Sequence, residues 1–459
     1  MSQVGQGGVA RLLLPVESEC LNPYLAACRG AEALTGITLE APLAVGQSSR
    51  YLPMLAEAVP SYEAGTLSLE PFVVEIHLRQ GVAFSDGRPL TSRDVEWTYE
   101  SAARLSERGG LAPLYSGFGR LARVETPDAR TARLVFRKPY AAWRDLLTAP
   151  VLPEHVYRGR ELSGMPLTER MVGSGPFILE RREEGIVSFH QNEDYWVEGL
   201  PNLDALEVSF PDPREAAEAL KSGAAEFGFF SVGGTVPGSG NLLRAEAART
   251  RLEVLVLNPE RLGEGEREAI LGSLSREQAA YAVGAPVVES LAPNVPARES
   301  EAETERGATR LPPELGLVYP SGDPARERVV EALAAQLRAA GVEVEIRAVS
   351  PERFFGESLS GDFDIALFGV GTPAEYASLL PVLPSRLEDE LIRVLGTVED
   401  GERARLLSDF RRSVTRTGVL VPLFVWPDAY AWSSALSGPR PEVPYRGIAH
   451  DVRGWGYFK

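Results

Sequence analysis

Residues 315–349 read LGLVYPSGDPARERVVEALAAQLRAAGVEVEIRAV. Leu315 to Tyr319 is a short apolar run that predicts a strand, Ala325 to Ala340 predicts a helix, and Val342 to Val349 a second strand. Within the helix Val329, Val330, Leu333 and Leu337 fall at i, i+1, i+4 and i+8 and make one apolar face. Gly341 follows the last turn, where a left-handed residue costs least. A further helix, Pro351 to Leu359, leads into the nearly continuous apolar run Phe363 to Phe368. Strand, helix, strand, helix, strand predicts a parallel sheet with right-handed crossovers. Ligands of such sheets bind beyond the carboxyl ends of the strands, here Tyr319 to Ser321, Val349-Ser350 and Gly369 to Thr372.

Outward from this region, Leu252 to Leu257 and Val419 to Val425 are apolar, β-rich runs that bracket it. The chain then continues into an aromatic C-terminal stretch, so one lobe is expected to be inserted into the other, with two chain crossings between them. The first half has a different texture. In Pro71 to Arg79, Val73, Glu75, His77 and Arg79 alternate with Val74, Ile76 and Leu78, the pattern of a half-buried strand. Thr91 to Asp94 predicts a capping box, the Thr91 hydroxyl accepting from the Asp94 amide while the Asp94 carboxylate reaches back to the Thr91 amide; the helix should run to about Leu105. Val124-Glu125 with Thr131 to Phe136, and Phe177 to Arg181 with Ile186 to His190, predict two hairpins. Arg298 to Arg310 and Gly233 to Gly240 read as loops.

The chain has 459 residues, so a prior of roughly 150 per domain gives about three structural units. With 47 Lys+Arg against 64 Asp+Glu the formal charge is −17, and lysine occurs only at Lys138, Lys221 and Lys459. The arginines are scattered among more acids, which argues against a nucleic acid or anionic membrane as partner. No stretch approaches the roughly 20 apolar residues that cross a bilayer, and the pattern of a secretory signal is missing. Either the protein is cytoplasmic or an export segment has been removed. Cys20 and Cys28 either close a short disulfide loop or remain two buried thiols.

Chemistry-bearing patterns are sparse. The four histidines, His77, His155, His190 and His450, share no metal-ligand spacing, and no metal or cofactor is expected. Gly173-Ser174-Gly175-Pro176 departs from the G-x-S-x-G elbow and reads as a structural turn. Gly369-Val370-Gly371 follows a strand but lacks the third glycine of a dinucleotide loop. No nucleophile with a placed base can be named, which points away from an enzyme.

Residues 78–95, LRQGVAFSDGRPLTSRDV, resemble the signature of the family 5 extracellular solute-binding proteins of ABC importers, the peptide and nickel binding group. Further blocks resemble the same family in the same order: VGSGPF at 172–177 with NEDYW at 192–196, ALKSGAAE at 219–226, FDIALFG at 363–369 and VPLF at 421–424. The resemblance implies an α/β, two-lobed periplasmic-binding-protein-like fold of the cluster C type, with a strand-helix subdomain inserted in the first lobe. It places the core of lobe I in 1–35, 170–255 and 425–459, the inserted subdomain in 36–169 and lobe II in 256–424. The implied function is capture without chemistry: a monomeric receptor, periplasmic or membrane-anchored, closes over a peptide-like or other organic solute and delivers it to ABC permease subunits.

By the same resemblance the first lobe contributes Asn22 and Tyr24 from the loop Leu21 to Tyr24, and Tyr115 beyond the capped helix. The second lobe contributes Gly369, Val370, Gly371, Thr372, Glu375 and Tyr376, and the returning chain adds Trp426. Peptide-binding members carry an Asp in the loop after the 363–369 strand, which pairs with the peptide's α-ammonium. No Asp stands in Val370 to Tyr376 here. Glu375 either replaces that charge or is a first-turn helix residue after Pro373. The departure leaves a second reading open, a degenerate member acting as a ligand sensor or structural protein with no transport role.

Overall fold

The structure is a computed structural model and describes residues 4–15, 17–18, 20–26, 28, 31–46, 50–108, 110–165, 171–183, 185–230, 240–246, 252–285, 287, 310–350, 353–354, 363–370, 383–426, 429–438, 440 and 451–458. Two compact units divide it: Met1–Ala248 with Asp428–Lys459, and Arg249–Pro427. The boundaries expected at 255/256 and 424/425 thus move outward. The physical reason is that Leu252–Leu257 and Leu420–Val425 pair antiparallel with each other and belong wholly to the sheet of the second unit.

That sheet has five strands in the order Glu343–Val349, Glu314–Pro320, Ile365–Val370, Leu252–Leu257, Leu420–Val425. The first three are mutually parallel, as the strand-helix-strand pattern predicts. Between the first pair runs the helix Pro324–Ala339, capped by Asp323, whose carboxylate accepts from the amides of Ala325 and Arg326. Its face of Val329, Val330, Leu333 and Leu337 is buried, and each such side chain adds about 1.5–3 kcal/mol of transfer free energy. Gly341 follows with φ +88°, the left-handed stop that the helix needs. Leu252–Leu257 is buried at all six positions, so both faces of this central strand are covered. Of the predicted helix Pro351 to Leu359 only Arg353 and Phe354 lie among the described residues.

The first unit holds a seven-stranded sheet in the order Leu242–Glu246, Ala429–Ser433, Phe227–Phe230, Val9–Leu13, Ala205–Ser209, Ile186–Gln191, Phe177–Glu183. Ala429–Ser433 comes from beyond the second unit and pairs antiparallel with both of its neighbours. A four-stranded antiparallel sheet, Leu67–Leu69, Phe72–His77, Thr131–Phe136, Leu121–Asp128, lies within the stretch 36–169 and belongs to the same unit. In Phe72–His77 the side chains of Phe72, Val74 and Ile76 are buried, in keeping with the alternation.

The helix Ser92–Arg108 starts where the capping pattern predicts, with one difference. The Asp94 carboxylate accepts from the Thr91 amide at 2.8 Å, but the Thr91 hydroxyl donates to the same oxygen at 2.9 Å instead of accepting from the Asp94 amide. That amide bonds the Thr91 carbonyl at 3.1 Å. Asp94 also accepts from the Glu154 amide at 2.9 Å, so the carboxylate gathers three donors and draws the hydroxyl to itself. The turn at 173–176 is structural: a Cβ on Gly173 would lie 2.0 Å from the Thr38 carbonyl oxygen, which accepts from the Gly175 amide at 2.8 Å.

Candidate functional site

In the first unit, the loop after the strand Val9–Leu13 is closed by a disulfide between Cys20 and Cys28, Cα atoms 5.2 Å apart, which settles the open question of the pair. Inside that loop Asn22 is fully buried. Its amide donates to the carbonyls of Leu162 at 2.9 Å and Met165 at 2.8 Å, and its own oxygen accepts from the Tyr24 amide at 3.0 Å. Tyr24 is equally buried, its hydroxyl donating to the Pro150 carbonyl and its ring 5.4 Å from that of Tyr115. Asn22 and Tyr24 therefore spend their polar groups on the protein and hold Pro23, the residue between them, at the wall of a pocket.

This pocket encloses about 680 Å³, part of it open to solvent. Leu39, Leu43, Met54, Leu114 and Tyr115 make much of its wall, and Pro176 of the 172–177 block joins them. Among the described residues, two charge-bearing side chains line it, Glu40 and Arg453. Glu40 follows the helix Ala31–Thr38 and is 4% exposed. Its two oxygens accept from the Tyr195 hydroxyl at 2.6 Å and from the Trp196 indole N–H at 2.7 Å. Burial pushes the carboxyl up to about 7, against the opposing pull of these two bonds and of the Arg453 charge. Burial, together with the charge of Glu40, also raises the Tyr195 phenol, which keeps it a donor.

Arg453 is half-buried, and its Nη1 donates to Met54 Sδ at 3.1 Å and Tyr195 Oη at 3.4 Å. Arg79 lies nearby, with its Nε donating to the Met54 carbonyl at 2.6 Å and its guanidinium 5.7 Å from the centre of the Trp196 ring. Of the first-lobe residues expected from sequence, Tyr115 lines the pocket directly, whereas Asn22 and Tyr24 act through Pro23. Glu40 and Arg453 were missed. Tyr195 and Trp196 belong to the 192–196 block, but nothing local in the chain links them to Glu40 or to an arginine near the other end.

In the second unit Gly369 and Val370 end the parallel strand Ile365–Val370, where they pair with Glu253 and Leu252. Glu253 has no exposure. Arg326, in the first turn of its helix, grips it with two bonds, Nε to Oε1 at 2.5 Å and Nη2 to Oε2 at 3.0 Å. Trp426 is buried and donates its indole N–H to Glu253 Oε2 at 2.9 Å, its ring 5.9 Å from the guanidinium carbon. Trp426 was expected to face solute; here it belongs to this buried cluster. Gly369 covers the cluster closely, since a Cβ there would stand 3.2 Å from Glu253 Oε2 and 3.3 Å from Arg326 Nη2. Gly371, Thr372, Glu375 and Tyr376 lie outside the described residues.

Comparison with known proteins adds three findings. The family model described as bacterial extracellular solute-binding proteins, family 5 middle, matches residues 50–379. The glutathione-binding protein GsiB of Salmonella typhi is 28% identical over 169 residues, 36% of this chain and 32% of that protein. The match thus spans about a third of the length of that curated relative. Among solved structures, the oligopeptide-binding protein AppA from Bacillus subtilis, in complex with a nonapeptide, superposes with TM-score 0.80 at 17% identity, covering 100% of both chains. The periplasmic EDTA-binding protein EppA gives TM-score 0.79 at 16% identity, covering 100% of this chain and 98% of that one. At such identities the likeness speaks for the fold alone.

Proposed function

Because the chain belongs to the bacterial extracellular solute-binding proteins of family 5, we propose that it is the solute-capturing receptor of an ABC importer, taking a peptide-like or other organic solute. Members of this family are periplasmic or extracellular, bind peptides or small organic molecules and work with ABC permeases. Among the described residues no helix is long and apolar enough to cross a membrane. The observation that carries the reading is the apolar pocket of the first unit, where Tyr115, Pro23 of the disulfide loop and Pro176 of the 172–177 block converge. Binding without chemistry, action as a monomer and the absence of a nucleic acid partner are part of the proposal.

The solute contacts follow from the same reading. Tyr115 and Pro23 meet the solute in the first unit, with Asn22 and Tyr24 fixing the loop behind them. Gly369 to Thr372, Glu375 and Tyr376 are its contacts in the second. Trp426 acts indirectly, holding Glu253 beneath Gly369. Capture requires only that the solute bind one conformation better than another, since that difference shifts the population.

Native mass spectrometry of the purified protein tests the proposal, with any adduct released and identified by mass. A defined organic or peptide adduct, released unaltered, is the expected result. A protein that is bare as purified and stays bare after incubation with a mixed peptide digest would sink the receptor reading. Peptides recovered cleaved would overturn the non-catalytic part of it.

A further inference from the structure

Taking the pocket of the first unit as a solute site, the reading on which this inference rests, we propose that it binds an organic acid, the carboxylate held on Arg453 and the apolar body packed against Leu39, Leu43, Met54 and Leu114. Arg453 lines the pocket and makes no ion pair among the described residues. Its only hydrogen-bond partners there are a thioether and a phenol oxygen, both weak acceptors and both met by Nη1, while Glu40 and Asp451 feel it only as a nearby charge. A guanidinium carries five N–H donors in a fork that fits a carboxylate two bonds at a time, so Nε and Nη2 remain for a ligand.

The neighbouring acids are committed elsewhere. Asp451, two residues before, accepts from the Trp455 indole at 3.0 Å and the Arg440 amide at 3.1 Å, and pairs with the Arg440 guanidinium at 3.6 Å. Glu40 has both oxygens taken by Tyr195 and Trp196, two neutral donors. Its burial favours the uncharged form, so it opposes an incoming anion little below neutral pH. A second guanidinium, Arg79, meets the same residue as Arg453, at the Met54 carbonyl, and it too makes no ion pair among the described residues. Among the described lining residues one arginine, Arg453, therefore stands with one acid, Glu40, in a pocket whose remaining wall is mostly apolar, and Arg79 adds a second positive charge behind Met54. An ammonium ligand would meet the reverse: repulsion by Arg453 and a carboxyl whose two oxygens each already accept one bond.

Saturation-transfer NMR with hexanoate and its uncharged counterpart hexanamide tests the assignment. The native protein should bind hexanoate about tenfold or more tightly than hexanamide, the scale of one charge-assisted hydrogen bond. Arg453→Gln should lose that preference and Arg453→Lys should keep part of it. Leu114→Trp, which fills the pocket and leaves the charges alone, should weaken both probes, and thermal melts establish that each variant is folded. Equal binding of hexanamide, undiminished hexanoate binding by folded R453Q, or no hexanoate signal at millimolar concentration would each overturn the assignment. The adduct measurement separates this from the receptor reading. A native adduct without a carboxylate, with hexanoate silent, removes the organic acid and leaves the receptor. Arginine-dependent hexanoate binding by a protein that is bare as purified and stays bare after the mixed peptide digest keeps the site and removes the receptor.

Discussion

Glu40 in the first unit and Glu253 in the second are both buried carboxyl groups, 4% and 0% exposed, yet they live in opposite electrostatic settings. Glu253 is met by a guanidinium in a two-bond grip and by an indole N–H. Burial works to lower the pKa of Arg326, but the charge and hydrogen bonding of Glu253 together with the charge of Asp323 leave it raised, so the arginine stays charged. Glu40 is met by two neutral donors and feels Arg453 only as a nearby charge. Its carboxyl consequently changes charge near neutral pH. A buried acid with an ionic partner is a fixed structural pin; one with neutral partners is a wall whose charge answers to its surroundings. The pin lies under the strand end at Gly369, and the responsive acid lines the pocket.

Three experiments would break or sharpen this contrast. The largest effect is expected from Arg326→Met, which leaves Glu253 buried with Trp426 as its one side-chain donor among the described residues. Removing one member of a buried pair costs about 3–5 kcal/mol, and urea melts should show a loss of that size. The double variant E253M/R326M should recover most of it, since no charge is then stranded. A loss below about 1 kcal/mol for R326M would place the pair among weak surface bridges and dissolve the contrast.

Next is the pH dependence of Glu40. Its folded-state value of about 7 lies above the ordinary 4.5, so between these pH values the folded chain holds a proton that the unfolded chain has released. Stability from this group is therefore full below about pH 4.5, falls as pH rises through the window, and levels off above 7. The whole change is about 3 kcal/mol. Glu40→Gln cannot titrate, so its stability relative to the native chain should improve by up to that amount from pH 4.5 to 7.5. Equal slopes for the two proteins would show that Glu40 keeps its ordinary value in the folded chain and would remove its side of the contrast.

The smallest effect belongs to Gly369→Ala. The added methyl meets oxygen and nitrogen of the Glu253–Arg326 pair at 3.2 and 3.3 Å, a tight fit that should cost about 1 kcal/mol. In the E253M/R326M background the cost should change, because the neighbours that crowd the methyl are gone. A thermal-melt cycle over the four proteins reads that coupling. Full additivity would mean that Gly369 answers to the backbone and not to the pair.

What could be seen from sequence divides along the same line as local and distant contacts. The strand at 72–77, the hairpins and the helix Pro324–Ala339 rest on periodicity and caps that are written in neighbouring residues. Leu252–Leu257 was visible as a strand, but its allegiance to the second unit depends on pairing with Leu420–Val425, far along the chain. The pocket was legible at Tyr115 and only indirectly at Asn22 and Tyr24, because a loop pattern shows where a turn lies and not which side chain faces outward. Glu40, Tyr195, Trp196 and Arg453 meet across nearly the whole chain, and each alone looks like an ordinary acid, aromatic or arginine. Trp426 is a solute contact by resemblance alone, and an aromatic after a strand gives no sign of whether its N–H has a carboxylate waiting inside.

The place of Ala429–Ser433 in the seven-stranded sheet bears on how the protein is made. A ribosome will have produced both of its neighbours, Phe227–Phe230 and Leu242–Glu246, and the entire second unit before this strand exists. Through that interval Phe227–Phe230 has one unpaired edge, the kind of surface that invites association between nascent chains. The second unit is continuous in the chain and can settle first. Chains halted before residue 429 would be the adhesive ones, and a holding chaperone would find its target there until the last strand closes the gap.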